Sequence, residues 1–293
     1  MNQLDLPPLP NSEENHWFTQ PFSPPGLETV DVLRPAREPY QNPNAPALVL
    51  VPGLSMDARG YVRQLQLAPY VDIHTLQANN NAVEGEKDFG HFARHVEEYI
   101  IANKLEERPG GFVLGGSSMG GALTVAIALR GRVKPRALVL IGTFANAQHL
   151  PYWQRLLAPL SWVLPLDFAK RSARVLGHMI KNPRSAYFRD LQYLGGEHIH
   201  RTHGYYGRAN MALTRQNQIP LAKSITIPTF IIHGTKDWVL PHAAGEELAR
   251  TIPGAKFVSV PDAGHILFFT HAEIVNAAIA EFLSEVLGSV PSA

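Results

Sequence analysis

An apolar run, Gly111-Phe112-Val113-Leu114, passes through Gly115-Gly116-Ser117-Ser118-Met119-Gly120-Gly121 into a helix-like stretch from Ala122 to Arg130. No other feature constrains the fold as tightly, because a strand must turn sharply into a helix with a serine at the apex. Gly116-Ser117-Ser118-Met119-Gly120 fits the G-x-S-x-G pattern, in which small residues beside a serine let the backbone bend enough to present its hydroxyl. Ser118 is therefore the candidate nucleophile.

A serine hydroxyl needs a base to take its proton and a third group to hold that base in the right tautomer. In a hydrolase built on a strand-turn-helix elbow the chain order is serine, acid, histidine. The C-terminal third offers one good candidate for each partner. Ile227-Pro-Thr-Phe-Ile-Ile-His-Gly234 reads as a buried strand, and the following loop, Thr235 to Pro241, carries Asp237. A second strand, Lys256 to Val260, leads through Pro261-Asp262-Ala263-Gly264 to His265, after which Ala272 to Leu287 has helical periodicity. In open parallel sheets active sites gather beyond the carboxyl ends of the strands, so Ser118, Asp237 and His265 are expected at one edge. Asp262 is a rival acid, but so close to His265 it reads better as a turn former.

The attack of a serine on a carbonyl also requires donors aimed at the developing oxyanion. The backbone N–H of Met119, next to the nucleophile, supplies one. The strand Ala47-Leu-Val-Leu-Val51, followed by Pro52-Gly53-Leu54-Ser55-Met56-Asp57, offers a turn for the second, and the N–H of Leu54 is the candidate.

On Pro52-Gly53-Leu54, Gly116-Ser117-Ser118-Met119-Gly120, His233-Gly234-Thr-Lys-Asp237 and Ala263-Gly264-His265, the chain resembles the alpha/beta-hydrolase fold superfamily. The resemblance covers about residues 45–144 and 219–290. It implies an α/β fold with an eight-stranded, mostly parallel sheet flanked by helices, a serine hydrolase triad and no cofactor. Two departures stand out: many members carry His-Gly where this chain has Pro52-Gly53, and an Asp-x-x-Gly-x-Gly stretch where it has Gln77 to Gly85. A serine at the elbow, in place of the aspartate of haloalkane dehalogenases and epoxide hydrolases, points to acyl carbonyl substrates: esters, thioesters, lactones, activated amides or beta-diketones.

The strand–helix alternation breaks down between Phe144 and Ile219. Leu150–Val163, Phe168–Lys181, Arg184–Leu194 and Gly204–Gln216 read as helices, so residues 145–218 are expected to form a helical cap inserted after the sixth strand, Ala137–Ile141. The expected core is 45–144 with 219–293, preceded by an extended arm, 1–44, holding one short strand at Leu27–Leu33. Residues 145–223 hold 11 Lys plus Arg against 3 Asp plus Glu, a net +8, whereas the remainder is −7. Such segregation fits a basic cap docked on an acidic core; it also fits one that attracts an anionic acyl substrate. Leu156 to Leu166 is markedly apolar and could line an acyl pocket or touch lipid; its two prolines and short length favour lid packing over a membrane anchor.

Other chemistries find less support. His198-Ile-His-Arg-Thr-His203 has three imidazoles but no Cys or Glu at a known zinc spacing, so no metal is expected. No phosphate-binding G-x-x-x-x-G-K-[ST] motif occurs, and neither nucleotide nor nucleic acid is expected as a partner. No run approaches the roughly 18 apolar residues of a membrane helix. The N-terminal residues lack a basic start and an apolar stretch of about 7–15 residues, so the expected location is cytoplasmic. Zero cysteines exclude disulfides and thiol chemistry. The expected activity is hydrolysis of a small-molecule carboxylic ester with a hydrophobic or medium-sized acyl group, through an acyl-enzyme on Ser118. A thioesterase, lactonase or acyltransferase would use the same three residues, and a binding protein could keep the fold without catalysis. The sequence leaves the oligomeric state open.

Overall fold

The computed structural model describes residues 6–10, 16–54, 56–78, 88–160 and 203–288. Eight strands form one sheet: β1 Trp17–Phe22, β2 Val30–Pro35, β3 Ala47–Val51, β4 Asp72–Ala78, β5 Phe112–Ser117, β6 Ala137–Ile141, β7 Thr229–Gly234 and β8 Lys256–Val260. Their order is β1-β2-β4-β3-β5-β6-β7-β8. From β4 to β8 every pairing is parallel, and the pairs β1–β2 and β2–β4 are antiparallel.

The central strands are apolar on both faces because helices cover both. Every residue of β3, β5, β6 and β7 is buried. Val49, Leu114, Leu138, Leu140 and Ile231 pack on one side with Phe92, Val96, Leu123 and Ile127. Those four belong to α1, Phe89–Ala102, and α2, Met119–Arg130. Leu48, Leu50, Val139, Ile141 and Ile232 pack on the other side with Tyr61, Leu65, Ile279 and Leu283. These come from a 3-10 helix, Ala58–Leu67, and the C-terminal helix Ala272–Leu287. Each buried aliphatic side chain contributes about 1.5–3 kcal/mol of transfer free energy, so two full layers fix the sheet's register.

Part of the segment expected as an extended arm, residues 17–35, joins the sheet. Within it, β1 and β2 form an antiparallel pair and β2 joins β4, so this segment builds one end of the sheet. Val30, Val32 and Leu33 bury in the two apolar layers. Pro21 disguises β1 in the sequence; proline cannot donate to a ladder and is tolerated there because β1 is an edge strand.

Between β6 and β7 the chain makes a long excursion whose two ends are stitched together. Asn146 bridges to Asn217, Ala147 N–H donates to Gln216 O at 3.0 Å, and Gln218 N–H donates to Ala145 O at 2.7 Å. Short helical turns at Ala147–His149 and Tyr152–Leu157 leave the sheet, and the helix His203–Arg215 returns to it. The expected helices Phe168–Lys181 and Arg184–Leu194 lie outside the described residues, as do His198 and His200. No described helix is long and apolar enough to cross a membrane.

Candidate active site

Ser118 links β5 to α2 with φ 52° and ψ −120°. Positive φ is costly for a residue with a Cβ, about 1–3 kcal/mol, and survives only where the surroundings enforce it. Here the enforcement comes from two glycines. A Cβ on Gly116 would lie 2.4 Å from the Gly120 carbonyl carbon, and one on Gly120 would lie 1.9 Å from Val51 O. Neither position accepts a side chain, so α2 closes against the ends of β3 and β5 and the serine is forced to the apex.

Side chains reinforce the bend. The Tyr61 hydroxyl accepts from Ser117 N–H at 2.9 Å and lies 2.8 Å from Val51 O and 2.9 Å from Ser117 Oγ. Burial pushes the Tyr61 phenol far above the ordinary tyrosine range, so its proton stays available. Thr143 Oγ1 donates to Ser118 O at 2.5 Å. Sequence reading missed both residues, because each contact joins segments whose proximity only the sheet order creates.

Gly53 places the turn after β3 beside the serine: a Cβ built there would lie 3.1 Å from Ser118 Cβ and 3.7 Å from its Oγ. Leu54 follows directly in that turn. Met119 opens α2, and the first N–H groups of a helix have no acceptor within it.

Asp237 and His265, 28 residues apart, meet at the carboxyl ends of β7 and β8, where His265 Nδ1–H donates to Asp237 Oδ2 at 2.8 Å. That bond fixes the imidazole's tautomer and leaves Nε2 to accept a proton. The other carboxylate oxygen, Oδ1, accepts from Val239 N–H and Leu240 N–H, each at 2.9 Å. Burial by itself would raise the Asp237 carboxyl; the facing His265, with hydrogen bonds from His233 and His265, outweighs it and holds the group well below the usual carboxylate range. Asp262 sits elsewhere. It is an exposed turn residue at φ 60° whose carboxylate meets Lys236 Nζ at 2.6 Å. The structure therefore brings Asp237 to His265, sets Ser118 at the same sheet edge, and shows no hydrogen bond between Ser118 and His265 among the described residues.

His233 is a further neighbour of the acid. Fully buried in β7, its Nε2 lies 3.2 Å from Asp237 Oδ2 and 3.2 Å from Leu240 O, while its Nδ1 has no hydrogen-bond partner among the described residues. One proton on Nε2 accounts for all three observations. The sequence signal was present in His233-Gly234-Thr-Lys-Asp237, although periodicity alone reads the histidine as strand core.

The family model for the alpha/beta hydrolase family matches residues 48–278, well over half of the chain and inclusive of all these groups. The chain belongs to the alpha/beta hydrolase family. Among individual relatives, BpoC of Mycobacterium tuberculosis, which carries the provisional name of a non-heme bromoperoxidase, is 36% identical over 70 residues, 24% of this chain and 27% of that one. This chain thus spans only about a quarter of the length of the first curated relatives it matches. The pimeloyl-[acyl-carrier protein] methyl ester esterase of Neisseria meningitidis is 28% identical over 183 residues, 59% of this chain and 57% of that one. A hydrolase from Pseudomonas aeruginosa superposes with a TM-score of 0.79 over 90% of this chain and 98% of its own, at 17% identity, a likeness of fold.

Proposed function

We propose that this hydrolase is a carboxylesterase that cleaves a small acyl ester through an acyl-enzyme on Ser118. The observation that carries the proposal is the meeting, at one sheet edge, of a serine forced to φ 52° and the His265–Asp237 hydrogen bond of 2.8 Å. In this mechanism His265 Nε2 takes the Ser118 proton as Oγ attacks the carbonyl, and Asp237 steadies the imidazolium that forms. The N–H groups of Leu54 and Met119 hold the oxyanion. His265 then returns its proton to the leaving alkoxide, activates water for the second half-reaction, and frees Ser118.

Residues 145–218 act as a cap over this edge. The stitched ends of the excursion support that reading, and so do the exposed Tyr152, Trp153, Leu156 and Leu157 at its start, which offer apolar surface for an acyl chain. Charge favours one refinement. With +8 on residues 145–223 against −7 on the remainder, an ester bearing a negative charge would be drawn toward the cap. The Neisseria relative named above acts, by its name, on a carrier-linked methyl ester, which is compatible with that refinement.

A panel of p-nitrophenyl esters, thioesters and lactones, each run with and without an added alcohol or amine, tests the proposal. Hydrolysis fastest on the esters and unaffected by the added nucleophile is expected. Faster thioester or lactone opening reassigns the substrate class, and capture of the acyl group by the alcohol or amine makes the protein an acyltransferase.

A further inference from the structure

A second cluster of reactive side chains lies at the other side of the same sheet edge. β2 begins opposite Ala78, the last residue of β4, so Glu28, two residues before β2, is carried to the carboxyl end of the parallel strands. α1 starts at this end too. His91 and His95 stand four residues apart on α1, on one face of the helix, and both are buried. Three ligand-capable atoms, one from each of Glu28, His91 and His95, lie within 4.8 Å of one another. Glu28 Oε2 is 2.9 Å from His91 Nε2 and 3.2 Å from His95 Nε2.

We propose that Glu28, His91 and His95 bind a divalent transition-metal ion of the zinc class, fastening the segment before β2 to the first turns of α1. Two imidazoles and one carboxylate suit such ions, and a pair of histidines at i and i+4 on one helix face is a spacing that zinc accepts. Tetrahedral ligands about 2.0–2.1 Å from an ion stand about 3.3 Å apart, so the two contacts to Glu28 open by a few tenths of an ångström and the histidine pair, within 4.8 Å, settles to the same spacing.

The contacts of His95 suit ligation through Nε2. His95 Nδ1 lies 3.3 Å from His91 O, and Nε2 faces the Glu28 carboxylate. A neutral imidazole has one N–H for these two acceptors, so one of its nitrogens is left with its lone pair against an oxygen. A cation on Nε2 removes the conflict: Nδ1–H then donates to the His91 carbonyl, the outer hydrogen bond that metal-bound histidines habitually make.

Arg94 works against the ion. Its Nη2 lies 3.2 Å from His91 Nδ1, a nitrogen that must carry the proton once Nε2 binds metal, so Arg94 has to turn away. A cavity of about 670 Å³, lined by Asp88, His91, Arg94, Arg215 and Gln216, gives it room to do so. The site departs from the expectation of no metal drawn from His198, His200 and His203, and it stands independently of the role proposed for Ser118.

The test uses the full chain without a histidine tag, stripped with chelator and dialysed against low-micromolar Zn²⁺, with bound metal counted by mass spectrometry. About one zinc per chain is expected, together with a higher melting temperature. His91→Gln combined with His95→Gln should weaken binding more than about 10-fold while ester hydrolysis persists. Replacing His198, His200 and His203 by Gln should leave it unchanged, and Arg94→Gln should tighten it. Co²⁺ gives a second readout that does not depend on stability: its visible absorption should be lost in His95→Gln. Absence of stoichiometric zinc in the wild type, or zinc undiminished by the double variant, would overturn the proposal; so would zinc lost only on replacing the 198–203 histidines.

Discussion

At the scale of single residues, the proposed chemistry and the local strain meet at Ser118. Ser118→Ala should lower kcat/KM for an ester by more than about 10³-fold without unfolding the chain, and a smaller loss would contradict a central nucleophile. Because the position has φ 52°, Ser118→Gly should be equally inactive yet more stable than Ser118→Ala by about 1–3 kcal/mol in urea unfolding. Asp237→Asn should damage turnover nearly as much as loss of the serine, whereas Asp262→Asn, which weakens an exposed contact with Lys236, should be mild. The reverse ranking would reassign the acid. The folded Asp237 carboxyl is depressed below its unfolded value of about 3.9, so its contribution to stability is complete above that pH and disappears as pH falls through the folded value. Wild type should therefore exceed Asp237→Asn in stability by a constant margin from pH 7 to about 5, and the margin should shrink below about pH 4. A margin undiminished at pH 2 would exclude the ionised carboxylate as its source.

At the scale of elements, the elbow depends on a buried hydroxyl as well as on glycines. Tyr61→Phe leaves Ser117 N–H and Val51 O without that partner and should cost about 1–3 kcal/mol, measurable by denaturant unfolding, with activity falling as the serine loosens. Leu138→Ala, in the middle of a strand buried on both faces, should cost about 2–5 kcal/mol with the remaining activity per folded molecule unchanged. Legibility in the sequence followed the range of the forces involved. The bounds of β3, β6 and the helix Ala272–Leu287 could be read directly, because a fully buried strand is a short apolar run and a helix repeats every three to four residues. The strand at Trp17–Phe22 could not, since its edge position tolerates Pro21 and exposes Phe18. The neighbours of the site followed the same rule. Asp237 and His265 each lie just past a strand end, and so were visible one loop at a time. Tyr61 reaches Ser117 across 56 residues and left no local trace.

At the scale of the whole molecule, the fold brings Ser118, Asp237 and His265 to the carboxyl edge of the parallel strands, and the sequence between β6 and β7 is basic. If the charge of residues 145–223 draws in substrate, kcat/KM for an anionic ester should fall with ionic strength while that for a matched neutral ester stays flat. Equal salt slopes would reduce the charge to docking between cap and core. The measurement that bears most directly on the central claim reads the mass of the intact chain after exposure to a fluorophosphonate serine probe, with wild type and Ser118→Ala side by side. A single adduct on wild type and none on the variant is the predicted result; an adduct on both, or on neither, would contradict an activated nucleophile at Ser118.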